Sequence, residues 1–323
     1  MIREPILRVR DLRVSFDTPS GQVRAVDGIS YDLRPGEILG IVGESGSGKS
    51  VQAYSLLGLI PQPGRVTGGS VQFHGKEVLN ASERALRRLR GGKIGMIFQN
   101  PMTSLNPVYP VGRQMMEAYR CQRRATKEEA RRRSVFMLEQ VGLSSPEMRM
   151  GQYPHQLSGG MRQRVMIAMG LICDPEILIA DEPTTALDVT IQAQILELIQ
   201  DLQAKTGMAV LFITHNLGVV AQLCHRVSVM YAGRFLEEVL QSPGHPYTKG
   251  LLESLPSLEG RQTGPLPFIP GAPPDPLEPP RGCPFAPRCP VCLPICEIRF
   301  PDWRETDGRR AACWRTKGGE TCE

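Results

Sequence analysis

Gly43-Glu44-Ser45-Gly46-Ser47-Gly48-Lys49-Ser50 decides how this sequence is read. The octapeptide fits G-x-x-x-x-G-K-[ST] and is flanked as that pattern requires, by the apolar run Glu37-Ile38-Leu39-Gly40-Ile41-Val42 before it and an apolar-periodic segment from Ser50 to Leu59 after it. That is a strand, loop, helix unit. In such a loop the glycines let the backbone wind tightly, so that successive N–H groups point at the β- and γ-phosphates of a nucleotide. The dipole of the following helix adds a favourable field. Lys49 brings a point charge to those phosphates and Ser50 a hydroxyl for Mg²⁺. A glycine-rich turn that binds nothing is the competing reading, and the complete octapeptide in this context argues against it.

Around this unit the text alternates between strands and helices. Leu7, Val9, Leu12, Val14 and Phe16, then Val26, Ile29, Tyr31 and Leu33, are spaced as in strands. Residues 100–156 turn to helical periods rich in arginine (Arg120, Arg123, Arg124, Arg131, Arg132, Arg133), which reads as a helical insertion with a solvated or headgroup-facing arginine surface. From Leu157 the alternation resumes, with apolar strands at Ile177 to Ala180, Ala209 to Ile213 and Val227 to Met230 between helical stretches 158–172 and 190–205. The fold class is therefore α/β, a parallel sheet covered on both faces. Beyond Pro256 the character changes again. Of 28 prolines, 14 lie between Pro256 and Pro301, which excludes a long helix or a central strand there and predicts an irregular appendage.

Composition narrows the class of function. With 41% hydrophobic and 22% charged residues over 323 positions, the chain has the balance of a globular protein with a substantial core. The apolar run Val165 to Cys173 is far short of the roughly 20 residues a spanning helix needs, and Met1-Ile2-Arg3-Glu4 opens no signal peptide. A cytoplasmic chain, held at a membrane only through a partner, is expected. Its net charge of +5 favours no partner class.

Ile177-Leu178-Ile179-Ala180-Asp181-Glu182 reads as a buried strand ending in two carboxylates. Paired with the phosphate loop, Asp181 is placed to hold Mg²⁺ through water and Glu182 to polarise the attacking water. Leu157-Ser158-Gly159-Gly160-Met161 is similar to the signature peptide of ATP-binding cassette (ABC) proteins, and Gln99, Ala186-Leu187-Asp188 and His215 follow in that family's chain order. The resemblance implies an α/β ABC ATPase core, a mixed sheet flanked by helices, with an antiparallel β subdomain. It also implies two cassettes facing head to tail, the signature of one closing over the ATP held by the other. Ser158, Gly159 and Gly160 open a helix with free N–H groups and so suit a γ-phosphate. By the same resemblance Gln99 senses Mg²⁺ and the attacking water, His215 contacts the γ-phosphate, Asp188 links the two sites, and Phe16 stacks on adenine. Phe16 as an ordinary core residue is the alternative. Met161 and Asn216 depart from the more usual glutamine and aspartate, but neither change removes a phosphate ligand.

Phe98-Gln99-Asn100-Pro101-Met102-Thr103-Ser104-Leu105-Asn106-Pro107 and His245-Pro246-Tyr247-Thr248 resemble the dipeptide and oligopeptide permease branch of the family, and its D-type ATPase subunits above all. That resemblance implies an ATPase domain over 1–255, with a helical subdomain at about 100–156, and a Pro/Cys-rich extension over 256–323. It implies a peripheral protein at the cytoplasmic face of a bacterial inner membrane, powering peptide uptake. Its partners would be a second ATPase subunit, two transmembrane permeases and, indirectly, an extracytoplasmic peptide-binding protein. Residues from about Gln99 to Val111 would receive a coupling helix of the membrane subunit. The rival functions are import of another solute, such as nickel or a peptide-like compound, and a soluble ABC ATPase acting on nucleic acid or ribosomes. A single phosphate loop and a short insertion speak against the last, so no nucleic acid is expected.

Six of the nine cysteines fall in the last 41 residues. In Cys283-x₅-Cys289-x₆-Cys296-x₁₆-Cys313 there are four thiols, enough for a tetrahedral Zn²⁺ or a [4Fe–4S] cluster, and the absence of tight C-x₂-C pairs among them tilts the reading toward iron and sulfur. The pattern also matches the tail of peptide permease ATPases, where the resemblance implies such a cluster. Reduced cysteines with no metal are the third reading, and Cys292 and Cys322 lie outside the pattern.

Overall fold

A computed structural model describes residues 4–185, 187–239, 242–254, 267–306 and 309–316. The chain folds into two compact units, one built mainly from residues 33–37 and 80–213, the other from 7–32, 38–79 and the residues from 214 onward.

The second unit holds the phosphate loop. An antiparallel sheet runs in the order Gly21–Leu33, Leu7–Thr18, Gly64–Phe73, Lys76–Glu77. Leu7 faces Phe73 and Val9 faces Val71, and the register shifts between Arg10 and Val14, which keeps both Leu12 and Val14 buried. Ile38–Val42 pairs in parallel with Arg226–Tyr231, which pairs antiparallel with Arg234–Val239. All five residues of Ile38–Val42 are buried, as an unbroken apolar run requires of a strand covered on both faces. The helix Lys49–Leu56 follows, starting one residue earlier and ending three sooner than the sequence period suggests.

The extension is irregular over most of its described length, yet Arg309–Ala311 pairs with Arg234–Val239 and Arg304–Thr306 pairs with Arg309–Ala311. Proline is absent from both short strands, which is what permits the pairing. Phe285 is buried in an aromatic cluster with Tyr231, Tyr247 and His245, at centroid distances of 5.5, 5.2 and 5.9 Å. Such burial is worth about 2 kcal/mol or more per ring.

In the first unit Ile94–Ile97, Ile177–Asp181 and Ala209–Thr214 form parallel pairs, with Ile177 opposite both Ile94 and Ala209. The insertion is helical: Pro101–Ser104, Val111–Gln122, Lys127–Gln140 and Pro146–Met150. Thr126 and Glu129 close a capping box on the third of these, satisfying two otherwise orphaned N–H groups. Arg120, Arg123, Arg124, Arg131 and Arg132 are exposed, as a solvated surface requires, and Arg133 is half-buried; two of the six also reach the neighbouring helix. Arg123 donates to the Cys173 carbonyl at 2.9 Å, and Arg133 donates to the Ile172 carbonyl at 2.8 Å and pairs with Asp174 at 2.6 Å. They tie off the C-terminal end of the helix Gly159–Leu171, where free carbonyls attract cations.

Candidate functional site

Gly43 to Gly48 forms a tight loop between the strand and the helix that starts at Lys49. Gly43, Gly46 and Gly48 have φ of 159, 77 and 100°, so the last two sit in the left-handed region. Lys49 is buried and folds back over the loop, its Nζ donating to the carbonyls of Gly43 and Glu44, both at 2.8 Å. Gly48 occupies the N-cap position without a side-chain cap, so no capping side chain takes up the first helical N–H groups. An uncapped helix start beside an ammonium is suited to an anion. Tyr247 Oη accepts the Glu44 N–H at 3.0 Å from outside the loop, and Arg288 pairs with the Glu44 carboxylate at 2.8 Å. Phe16, the proposed adenine platform, is half-buried, and its ring covers Gly64, where any Cβ would lie 2.5 Å from the ring edge.

In the other unit Asp181 ends its strand fully buried, and Glu182 follows with φ of 46°, a left-handed conformation rare for a non-glycine residue. Its N–H donates to the Ile213 carbonyl at 2.9 Å, which holds the backbone there. Gln99 Nε2 and Thr185 Oγ1 both donate to Glu182 Oε2 at 2.9 Å. The structure thus joins Gln99 to Glu182 across 83 residues of sequence. Thr185 is a contact that sequence reasoning missed, although its position three residues beyond the glutamate was the available signal.

Two capped helix starts stand side by side in this unit. Ser158 Oγ accepts from Met161 N–H at 3.3 Å, and Asp188 Oδ1 accepts from Ile191 N–H at 3.0 Å. A Cβ on Gly160 would come 3.0 Å from Ile191, so only a glycine permits this approach without a shift. His215 is exposed just beyond the strand Ala209–Thr214. Ser50 and His215 belong to one compact unit, Gln99, Asp181, Glu182, Ser158 and Asp188 to the other.

Cys283, Cys296 and Cys313 are buried and Cys289 is half-buried. The Cys283 N–H donates to the Cys296 carbonyl at 2.7 Å. Burial pushes the Cys283 thiol up to about 12, and the nearby Cys296, Cys313 and Cys289 push it further in the same direction. Cys292, set aside on sequence grounds, is raised by burial and by Cys296 and Cys289, so it shares the neighbourhood. Cys322 lies outside the described residues. Among the described residues no group of three or more His, Cys, Asp or Glu side chains is arranged to hold a metal ion. His245, by contrast, is structural: its Nδ1 caps Tyr247 N–H at 3.1 Å, and burial lowers its pKa to about 3, so it stays neutral.

With this geometry in place, comparison with known proteins is decisive. Residues 26–185 match the family model described as ABC transporter, and residues 235–296 match oligopeptide/dipeptide transporter, C-terminal region. Oligopeptide transport ATP-binding protein OppD of Escherichia coli is 51% identical over 317 residues, covering 97% of this chain and 94% of that protein. The chain belongs to the ABC transporter ATP-binding family. It is an ABC-type ATPase. Dipeptide transport ATP-binding protein DppD of Bacillus subtilis is likewise 51% identical over 320 residues, covering 96% of this chain and 95% of that protein. Among solved structures, the dimeric ATP-binding cassette MJ0796 bound to ADP and Pi superposes with a TM-score of 0.66 at 27% identity, over 73% of this chain and 99% of that one. This ABC-type ATPase contains the antiparallel sheet, the parallel strand pairs and the helices expected of the α/β cassette fold class.

Proposed function

We propose that this chain is the ATP-hydrolysing subunit of an importer of dipeptides or short oligopeptides. It would work at the cytoplasmic face of a bacterial inner membrane with a second ATPase subunit, two permeases and, through them, an extracytoplasmic peptide-binding protein. The observation that carries the reading is the match of residues 235–296 to the C-terminal region of oligopeptide/dipeptide transporters, a segment outside the general cassette. Large apolar side chains left exposed near the start of the helical segment support a membrane-subunit dock: Phe98, Met102, Val108 and Tyr109, the third of them 69% exposed.

ATP phosphates would lie against the N–H groups of Gly43 to Ser50 with Lys49 as counter-charge, and the adenine against Phe16. Ser50, Gln99 and Asp181 would hold Mg²⁺, which when bound offsets charge on the phosphates. Glu182, oriented by Gln99 and Thr185, takes the proton of the attacking water. Ser158, Gly159 and Gly160 would offer N–H groups to the γ-phosphate on the partner cassette, with His215 contacting that phosphate and Asp188 joining the two sites. ATP binding then closes the pair, and hydrolysis reopens it.

The direct test is uptake of a labelled dipeptide by cells whose only copy of this chain is wild type or Glu182→Gln, at matched abundance. Uptake should fall to background in the variant. Retained uptake would point to another solute, a redundant importer or the nucleic-acid class, and salt-sensitive binding of the purified chain to RNA or DNA would select the last.

We further infer that Cys283, Cys289, Cys296 and Cys313 hold a [4Fe–4S] cluster. Their support is a shared, mostly buried neighbourhood and a soft donor set; bound iron would supply the positive charge that lets the raised thiols of Cys283, Cys289 and Cys313 ionise. Protein purified without oxygen should carry about four irons and inorganic sulfides per chain, with broad visible absorption. Cys283→Ser should lose both. One zinc per chain, or no metal, would refute the cluster.

A further inference from the structure

The phosphate loop is gripped from outside by the extension. Glu44, its second residue, is held at three points: its N–H donates to Tyr247 Oη at 3.0 Å, its carbonyl accepts from Lys49 Nζ at 2.8 Å, and its carboxylate meets the Arg288 guanidinium at 2.8 Å. Arg288 is no incidental surface partner. Its side chain is 6% exposed, and the same guanidinium donates to Tyr231 Oη at 3.1 Å, the Pro270 carbonyl at 2.9 Å and the Ile269 carbonyl at 3.1 Å. Burial disfavours its charge, but the bonds to Glu44 and Tyr231 outweigh that and keep it protonated. The ring of Phe285, three residues earlier, packs edge-on against Tyr231 at 5.5 Å and beside Tyr247 at 5.2 Å. One node therefore links the cysteine-bearing segment, the end of the strand Arg226–Tyr231 and the phosphate loop.

A glycine-rich loop loses much conformational freedom when it wraps a phosphate, so fixing it beforehand tightens binding without adding a contact to the ligand. Glu44 is also an acidic side chain in the loop read as the anion receptor, and a buried guanidinium bonded to it offsets that charge and fixes the carboxylate. Both effects act in the same direction.

We propose that Arg288 is a positioning residue for ATP binding, acting through Glu44, so that the order of the cysteine-bearing extension is read out at the phosphate loop. The proposal rests on the reading of Gly43 to Ser50 as the nucleotide site. The test is affinity of the purified full-length chain for a fluorescent ATP analogue with Mg²⁺, for Arg288→Ala, Glu44→Gln, the double variant and Lys49→Ala, each checked for an intact thermal transition. Arg288→Ala should weaken binding about tenfold, the usual worth of a buried charge-assisted hydrogen bond. Glu44→Gln should weaken it by a smaller factor, and Arg288→Ala should add little in the Glu44→Gln background, because the two share one interaction. Arg288→Lys should recover part of the loss. Unchanged affinity in Arg288→Ala, or independent additive effects in the double variant, would overturn the proposal. If Lys49→Ala also binds normally, the nucleotide-site reading itself fails; if only Lys49→Ala is impaired, the failure belongs to Arg288 alone.

Discussion

Glu182→Gln will lower steady-state ATP hydrolysis by about 10² to 10⁴, the range expected when a positioned general base is removed, and will leave nucleotide affinity within a few-fold of wild type. The substitution isolates basicity from structure. Gln99 Nε2 and Thr185 Oγ1 both donate to Oε2, and a glutamine carbonyl oxygen in that place accepts both bonds at the same 2.9 Å. The left-handed backbone at residue 182, with φ of 46°, strains glutamate and glutamine alike, so the folded state is not penalised further. The charge and the proton affinity are what is lost. Phosphate release over many turnovers and in a single turnover, alongside binding of an ATP analogue and a melting curve, separates the possibilities. Hydrolysis within about twofold of wild type at unchanged affinity would remove Glu182 from the chemistry and point to a base supplied elsewhere. A linked expectation concerns Thr185: its loss to alanine removes one of the two donors and should reduce turnover less than Glu182→Gln does, with nucleotide affinity unchanged.

What the sequence exposes here is whatever is local or periodic. The octapeptide at Gly43 to Ser50 and the apolar run into Asp181-Glu182 are contiguous, and each is a strand end followed by the residues chemistry needs. The helices of 101–156 announce themselves by period. Gln99, His215, Ser158 and Asp188 carry no local sign of a role, and only the resemblance to a family singled them out. The contacts between distant segments were not legible at all. Arg288 and Glu44 stand 244 positions apart, and no spacing rule pairs them. Tyr247 was visible as part of His245-Pro246-Tyr247-Thr248, but that its hydroxyl would take the Glu44 N–H follows only from folding, since hydroxyl-to-backbone bonds leave no sequence pattern.

The extension shows why composition misleads at short range. Its proline density rightly argued against long elements, yet two three-residue strands, Arg304–Thr306 and Arg309–Ala311, fit between the prolines and add to a sheet edge. Strand addition needs only a few free N–H and C=O groups on an existing edge, and that edge is created by Arg234–Val239, some 65 residues away in sequence. Likewise Arg123 is exposed as expected and Arg133 half-buried, but no sequence signal indicated that both also donate to carbonyls at the end of a helix that begins at Gly159.

Gly48→Ala and Gly46→Ala should separate sharply, and their order is the sternest check on the loop geometry. Both glycines are left-handed, at φ of 100 and 77°, so an L side chain is strained at either by about 1–2 kcal/mol. They differ in surroundings. A Cβ on Gly46 meets nothing within 4 Å, whereas on Gly48 it would lie 2.2 Å from the Ala25 carbonyl oxygen and 2.9 Å from the Met230 methyl. Ala25 sits within the strand Gly21–Leu33, and two residues on, the Asp27 N–H donates to the Gly233 carbonyl at 2.9 Å, so the obstacle is backbone fixed in a strand. Relief therefore requires moving the loop, not a rotamer, and overpacking adds about 1–3 kcal/mol to the torsional strain. Gly46→Ala should weaken nucleotide binding by about tenfold or less, and Gly48→Ala by about a hundredfold or more with a lowered melting temperature, at about 1.4 kcal/mol per decade. Calorimetric titration with ATP analogue and thermal denaturation of both variants measure this. Equal losses at the two positions would mean that the loop's backbone does not pass against Ala25 as it does here, and the placement of Lys49 above it would fall with that geometry.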